Sequence, residues 1–423
     1  MDVFKLRDEL ISDYSTYIKS FIQINDKRIR EKVDEELDNG LLWPDPLVQI
    51  NPNYESGGSI DDLIEQGILH NLCGKIFRRG KESPDDFGKP LNLHRHQAEA
   101  IKTAQKGENY ILTTGTGSGK SLSYIIPIVD YCLKHPEKKG IKAIIVYPMN
   151  ALANSQLGEL DKFLKYGLGG KETVTYRRYT GQESPEERDE IGKNPPDIIL
   201  TNYVMLELPL TRTKNDKKIL KAAQGLRFLV LDELHTYRGR QGADIGMLVR
   251  RTREILNANN LQCIGTSATM SSDGTIADQK RQIVEVATTI FGTEFKPENI
   301  IGETLRRVTK SFDFEKSADK SALRRVILSS EIPTDFDTFI NNPLAAWIED
   351  TIGITKDKVS GIYIRANARP LSGKNGIAKD LSQLTDIPEN ECDSALQKML
   401  IAGYNVENPV TGIKAFVFRL HQM

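Results

Sequence analysis

The 423-residue sequence lacks most of the features that would mark a secreted, membrane-bound or metal-stapled protein. No run approaches the roughly 20 apolar residues needed to span a bilayer. The first residues include Asp2, Asp8 and Glu9 and hold no apolar signal core, so neither export nor a membrane partner is expected. The four cysteines, Cys73, Cys132, Cys263 and Cys392, stand far apart with no C-x-x-C pair. Neither a disulfide framework nor a zinc ribbon follows from that spacing, and a cytoplasmic setting is the expectation. A net charge of −1 gives no global basic excess. Nucleic acid is not excluded by this, because local donors and helix N-termini can grip a phosphate backbone without net charge. Aromatic residues interleave little with arginine and lysine, so no base-stacking platform is expected. Internal repeats and low-complexity tracts are also missing.

What is present is an ordinary globular composition, 39% hydrophobic and 27% charged, in a chain long enough for two or three domains. Leu10, Tyr14, Tyr17 and Phe21, flanked by Ile11, Ile18 and Ile22, recur at helical spacing, and a second helix is expected after Asp26. The stretch from Trp43 to Asp86 is rich in Pro, Gly and Asn, with a short helix near Ile60–Gln66. From about Leu91 the texture becomes alternating strands and helices. Strands are predicted at 110–113, 142–147, 173–179, 197–201, 228–232 and 262–266, with helices near 119–134, 150–166 and 242–257. Near-continuous apolar strands with intervening helices imply an α/β fold, a parallel sheet covered on both faces. After Phe291 the alternation fades, and residues 305–326 read as a charged linker or exposed helix. A helix at 375–384, a turn at Pro388, a helix at 392–402 and a strand at 415–418 outline a winged helix. The division expected is therefore a helical accessory region at 1–90, a nucleotide-binding domain at 91–303 and a helical, winged-helix-like region at 304–423.

The chemistry concentrates at the predicted strand ends. Thr114-Gly115-Thr116-Gly117-Ser118-Gly119-Lys120-Ser121 follows the strand Tyr110–Thr113. A phosphate loop needs glycines for close backbone approach, a lysine for the β- and γ-phosphates and a hydroxyl for Mg2+. Gly115, Gly117 and Gly119, then Lys120, then Ser121 supply these, with Thr114 where the general pattern has another glycine. A glycine-rich turn of no consequence is the plainer alternative, and the strand before it with the helix after it argues against that. Asp232-Glu233 ends the strand Phe228–Leu231. In phosphate-loop enzymes the aspartate holds Mg2+ and a neighbouring carboxylate orients and deprotonates the attacking water. A lone Asp-Glu is as readily a solvated turn; the upstream loop gives it meaning. His235 and Ser267-Ala268-Thr269 are weaker by themselves, a packing histidine and a helix cap, but together they form a relay: the neutral imidazole reaches Ser267 or Thr269.

As a set these residues resemble superfamily-two helicases of the DEAD/DEAH-box group, and the resemblance covers about residues 91–270. It implies a RecA-like domain that binds ATP with Mg2+. Gln97 stands where such proteins place the glutamine that reads adenine, with His94 in place of the usual arginine. Pro148, Asn150 and Ala151, Thr180-Gly181, and Thr201-Asn202 resemble three motifs that hold the nucleic-acid backbone. Asp232 to His235 resembles the signature box, with Leu234 in place of alanine, and Ser267 to Thr269 the coupling motif. More narrowly, Asp232 to Gly239 and Pro148 to Ala153 resemble bacterial DNA helicases of the mitomycin-repair type and the Druantia and DISARM anti-phage systems. DNA is accordingly the expected partner ahead of RNA.

Such motors close a second RecA-like domain over the nucleotide and insert an arginine finger from it. Residues 270–423 contain no Gly-Arg dipeptide, so a second RecA-like domain is expected in a longer chain or a partner subunit. Three activities remain open from the sequence: a DNA helicase or translocase, an RNA-acting relative, and a non-unwinding ATP-gated scaffold. Arg177, Arg178, Arg238, Arg240, Arg250, Arg251 and Arg253 are candidate additional charges, with a solvated face as the even alternative for the last three.

Overall fold

Short apolar segments buried on both faces dominate the middle of the chain. They are Tyr110–Thr113 (β1), Ala143–Tyr147 (β2), Tyr176–Tyr179 (β3), Ile198–Asn202 (β4), Phe228–Leu231 (β5), Gln262–Ser267 (β6) and Ile300–Gly302 (β7). In the computed structural model they form one seven-stranded sheet of order β7-β1-β6-β5-β2-β4-β3, and every pairing is parallel. The structure describes residues 2–21, 24–38, 46–81, 83, 86–115, 117–168, 173–211, 217–268, 275–329, 331–357, 360–373 and 375–421.

The helices of this unit are Arg95–Gln105 (α1), Leu122–Lys134 (α2), Asn150–Leu160 (α3), Pro185–Lys193 (α4), Tyr203–Thr211 (α5), Gly239–Ile255 (α6) and Ile276–Phe291 (α7). Strand alternation divides the core in two. Ile145, Leu200 and Val230 face Ala98, Ile125 and Ala153 on one side, while Ile144, Ile199 and Leu229 face Ile245, Leu248 and Ile283 on the other. Helices thus cover both faces of a RecA-like parallel sheet. Local signals set helix starts: Ser184 accepts from Glu187 N while Glu187 accepts from Ser184 N, a reciprocal cap ahead of Pro185.

The six strands expected from apolar patterning form within a few residues of the expected limits. The seventh, β7, lies where strand–helix alternation was expected to have ended. Its three residues are too few to show a period, and it forms because pairing with β1 hydrogen-bonds an otherwise open edge.

Two compact units divide the chain, Tyr54–Thr304 and residues 1–53 with 305–423. Sequence texture had suggested breaks near residues 90 and 303; the first falls inside the sheet-containing unit. Ile60, Leu63, Leu69, Cys73, Ile76 and Phe77 belong to the same core as Tyr110 and Tyr124. A buried carboxylate fastens this segment: Asp130 on α2 accepts from His70 N and Gln105 Nε2 and pairs with Lys134 at 2.7 Å.

In the other unit, helices Val3–Phe21 and Lys27–Asp38 match the expectation, but Leu10, Tyr17 and Phe21 stay 60%, 59% and 69% exposed and only Phe4 is buried on the first helix. Phe4 stacks on Phe418 with ring centroids 5.7 Å apart. The charged stretch after residue 305 carries a helix at Ser317–Ser329. Helices Ile377–Thr385 and Glu389–Asn405 give the helix–turn–helix expected near the end. The strand that follows, Val417–His421, pairs antiparallel with Leu47–Asn51, which in turn pairs with Arg369–Pro370. The turn before Val417–His421 is closed locally by the bridge Glu407–Lys414 and by Asn408 N donating to Ile413 O and Ala415 N to Val406 O. No helix among the described residues is long and apolar enough to cross a membrane.

Asp130→Ala leaves the His70 N–H and the Gln105 amide without their acceptor. We expect a loss of about 2–3 kcal/mol, read in thermal unfolding as a Tm lower by about 4–10 °C.

Candidate nucleotide and nucleic-acid site

Parallel strands all deliver their loops to one edge of the sheet, and the expected motifs leave from the carboxyl ends of β1, β2, β3, β4, β5 and β6. The loop after β1 is built on glycine geometry: Gly117 and Gly119 have φ of 81° and 70°, open to glycine and strained for other residues. A Cβ on Gly119 would stand 2.6 Å from Gln97 Nε2. Thr114 N donates to Ser267 O at 3.2 Å, tying the loop to β6, and the buried Thr114 and Ser118 hydroxyls are 2.6 Å apart. Thr116, in the same loop, lies outside the described residues.

Gln97, expected from resemblance to read adenine, braces the loop. Its Oε1 accepts from His94 N at 2.8 Å, and its Nε2 donates to Gly119 O at 2.9 Å. His96 Nε2, fully buried, donates to Ser118 O at 3.0 Å. Glu303, just past β7, accepts from Gly115 N at 3.1 Å. Neither His96 nor Glu303 was singled out from the sequence; the glutamate depends on a strand that patterning missed.

The acidic box turns sharply. Glu233 adopts a left-handed conformation, φ 52° and ψ 55°, which brings two successive carboxylates to one site where strand alternation would separate them. Thr266 organises both: its hydroxyl donates to Asp232 Oδ1 and accepts from Glu233 N at 3.1 Å. Burial, moderated by that hydroxyl, pushes the Asp232 carboxyl up to about 6. Lys120 Nζ stands 3.5 Å from Glu233 Oε1. His235 Nδ1 lies 3.3 Å from both Glu233 Oε2 and Ser267 Oγ. The structure therefore brings Lys120, Asp232, Glu233, His235 and Ser267 together, while Thr269 lies outside the described residues. Leu234, an unusual residue for this box, fits because its neighbour on β6 is Gly265. A Cβ at 265 would come 2.3 Å from Leu234 Cδ1.

Lys120 Nζ and Glu233 Oε2 are buried atoms with no hydrogen-bond partner, an ammonium awaiting an acceptor beside a loop of glycine amides. Among the described residues no three His, Cys, Asp or Glu side chains gather as a self-sufficient metal cage. Asp232 and the Ser121 hydroxyl suit Mg2+, which is commonly held by one or two carboxylates plus substrate phosphates.

The expected backbone-binding residues form a second cluster, largely bonded within itself. Asn202 Nδ2 donates to Asn150 Oδ1 at 2.7 Å and to Thr180 O at 3.2 Å, and Asn202 Oδ1 accepts from Met205 N. The buried Thr201 hydroxyl donates to Tyr179 O. Glu183 accepts from the Thr180 and Gly181 amides, both at 2.8 Å, and from Arg178. Although burial opposes ionisation, these donors hold its carboxyl below the usual range. Glu183 thus takes the amides a phosphate would use, while Pro148 and Asn150 are half-buried and Ala151 is exposed at the start of α3.

The arginines sort clearly. Arg250 donates to Gly246 O and Thr289 O, and Arg253 to Phe291 O and Gly292 O. Both cap the carboxyl end of α7, where a cation is favoured. Arg251 pairs with Glu207 at 3.7 Å.

Residues 94–276 match the DEAD/DEAH box helicase family. The ATP-dependent helicase HRQ1 of Saccharomyces cerevisiae is 34% identical over 211 residues, 49% of this chain and 18% of that protein. The Druantia protein DruE of Escherichia coli is 24% identical over 378 residues, 63% of this chain and 20% of that protein. The chain thus spans about a fifth of the length of either relative. A crystal structure of the DUF1998 helicase MrfA bound to DNA covers 72% of this chain and 39% of its own, with a TM-score of 0.46 and 22% identity.

Two outcomes follow from this geometry. Gly265→Ala should destabilise by about 1–3 kcal/mol through overpacking against Leu234 and Ile111; denaturant titration of the variant and the parent checks this. The raised Asp232 carboxyl means the folded state holds a proton that the unfolded state releases between pH 4 and 6. Ionised Asp232 therefore lowers stability as pH rises through that window, by up to about 3 kcal/mol. In Mg2+-free thermal melts at pH 7, Asp232→Asn should raise Tm, and the gap should narrow as pH falls toward 4.

Proposed function

We propose, taking the DEAD/DEAH box helicase match over residues 94–276 as the premise, that this chain carries the first motor domain of an ATP-dependent DNA helicase or translocase. The observation that carries the reading is the Lys120 ammonium, which has no hydrogen-bond partner and stands 3.5 Å from Glu233 beside the glycine turn at 117 and 119. In this reading the loop amides and Lys120 bind the β- and γ-phosphates of ATP, and Ser121 with Asp232 holds Mg2+. Bound Mg-ATP supplies the phosphoryl group whose hydrolysis drives the motor. Glu233 orients a water and takes its proton. Gln97 and His96 keep the loop in register through Gly119 O and Ser118 O. His235, poised between Glu233 and Ser267, couples the nucleotide site to β6 and the loop beyond it.

The strand ends holding Pro148, Asn150, Ala151, Thr180, Gly181, Thr201 and Asn202 serve as the nucleic-acid face in this proposal. Because Glu183 holds the Thr180 and Gly181 amides and Asn150 and Asn202 bond to each other, the first contacts fall to the exposed start of α3 at Ala151. DNA is favoured over RNA by the motifs Asp232–Gly239 and Pro148–Ala153, which resemble DNA helicases of the mitomycin-repair type. An anti-phage setting is favoured by the alignment with DruE over 378 residues. A second RecA-like domain, in a longer chain or a partner subunit, would supply an arginine finger worth roughly a thousandfold or more in rate. The chain alone should therefore bind Mg-ATP but hydrolyse it slowly.

Lys120→Ala should weaken binding of a fluorescent ATP analogue at least about a hundredfold, the order expected when several charge-assisted hydrogen bonds are lost. Glu233→Gln should hold ATP bound and still bind single-stranded DNA. ATP affinity untouched by Lys120→Ala defeats the phosphate-loop assignment, and ATPase stimulation by RNA alone defeats the DNA reading.

A further inference from the structure

Between α5 and α6 the surface opens into a cleft of about 580 Å3, lined among others by Tyr203, Arg240, Gln241, Asp244, Met247 and Arg251. That is within the range of small-ligand sites. Its position in the chain is informative. Tyr203 directly follows Asn202 of the half-buried asparagine cluster, and α6 begins four residues after His235. The cleft therefore adjoins both the nucleic-acid motifs and the acidic box.

Tyr203 packs one side against the core and stays half-buried, while Arg240, Asp244 and Met247 are exposed. Arg250 and Arg253, on the same helix, are bonded to carbonyls at the end of α7. Arg240, by contrast, is exposed with no hydrogen bond or ion pair among the described residues, and so is Asp244. Arg251 is held by Glu207 only at 3.7 Å. Met247 is 61% exposed, a large apolar residue with nothing packed over it. The buried hydroxyl of Tyr237, just before α6 in the chain, has no hydrogen-bond partner among the described residues.

Resting on the helicase reading above, we propose that this cleft is a nucleotide subsite on the path of single-stranded DNA. Arg240 takes a backbone phosphate, and Tyr203 with Met247 receives the face of a base. Stacking on an aromatic ring is tolerant of base identity. Asp244 is placed to accept from an exocyclic amino group, which favours cytosine or adenine over thymine. The Arg251–Glu207 pair closes the far side, and Glu207 keeps the cleft from being a purely cationic track.

The test is fluorescence anisotropy of a labelled single-stranded DNA oligonucleotide with the full chain, over a salt series. Arg240→Ala should weaken binding about tenfold and flatten the slope of log affinity against log salt by about 0.7, one phosphate's worth for single strands. Tyr203→Leu should also weaken binding about tenfold but leave the slope unchanged, and Tyr203→Phe should retain affinity. Fluorescent ATP binding should be unchanged in all three. Full DNA affinity in Arg240→Ala and Tyr203→Leu overturns the subsite, and so does an equal loss of ATP binding. If Asn202→Ala weakens DNA binding while those variants do not, the subsite fails and the helicase reading stands. A parent chain that binds no nucleic acid sinks both. An RNA oligonucleotide of the same sequence bound more tightly overturns the assignment to DNA.

Discussion

All seven strands of the sheet run the same way, and every functional arrangement here depends on that. Parallel pairing forces the loops after β1, β2, β4, β5 and β6 to one edge, where residues more than a hundred positions apart meet. Thr114 reaches Ser267 through a backbone hydrogen bond, and Thr266 reaches Asp232 and Glu233 through its hydroxyl. Reversing one central strand would send its motif to the opposite edge. The near-continuous apolar character of the strands is the energetic condition for this arrangement, since a parallel sheet must be covered on both faces.

Within that frame, a small number of buried and half-buried polar groups hold the loops in shape. Glu183 gathers the Thr180 and Gly181 amides, Glu303 takes the amide of Gly115, and Gln97 and His96 hold the carbonyls of Gly119 and Ser118. A buried amide or carbonyl left unpaired is expensive, so each of these contacts fixes a backbone segment that has no strand or helix to define it. The groups left unmatched are then informative. The Lys120 ammonium has no hydrogen-bond partner and only the Glu233 carboxylate near it, at 3.5 Å. The raised carboxyl of Asp232 follows from its burial, moderated by the Thr266 hydroxyl.

Legibility varied with the range of the interaction. Six strands, the glycine turn, the acidic box and the final helix–turn–helix were readable because each is written in adjacent residues. β7 was not, since three residues carry no period, and with it went Glu303. The strand Leu47–Asn51 also escaped, although Val48 and Ile50 alternate with half-buried neighbours; its partner lies more than 360 positions away at Val417–His421. The arginines at 250, 251 and 253 looked alike in the sequence. Two proved to cap a helix that begins more than twenty residues later, which no local pattern could have indicated.

By itself the sequence determined the residue types at the strand ends and the class of fold, because residue type and period act over a few positions. Only the tertiary structure decided which groups are already satisfied and which stand open. Gln97 became a brace through contact with Gly119. Gly265 made space for Leu234, and Glu183 closed over Thr180. Arg240 was left unbonded where Arg250 and Arg253 were used. Those outcomes rest on distances between segments remote in the chain, and such distances are fixed only when the sheet has assembled.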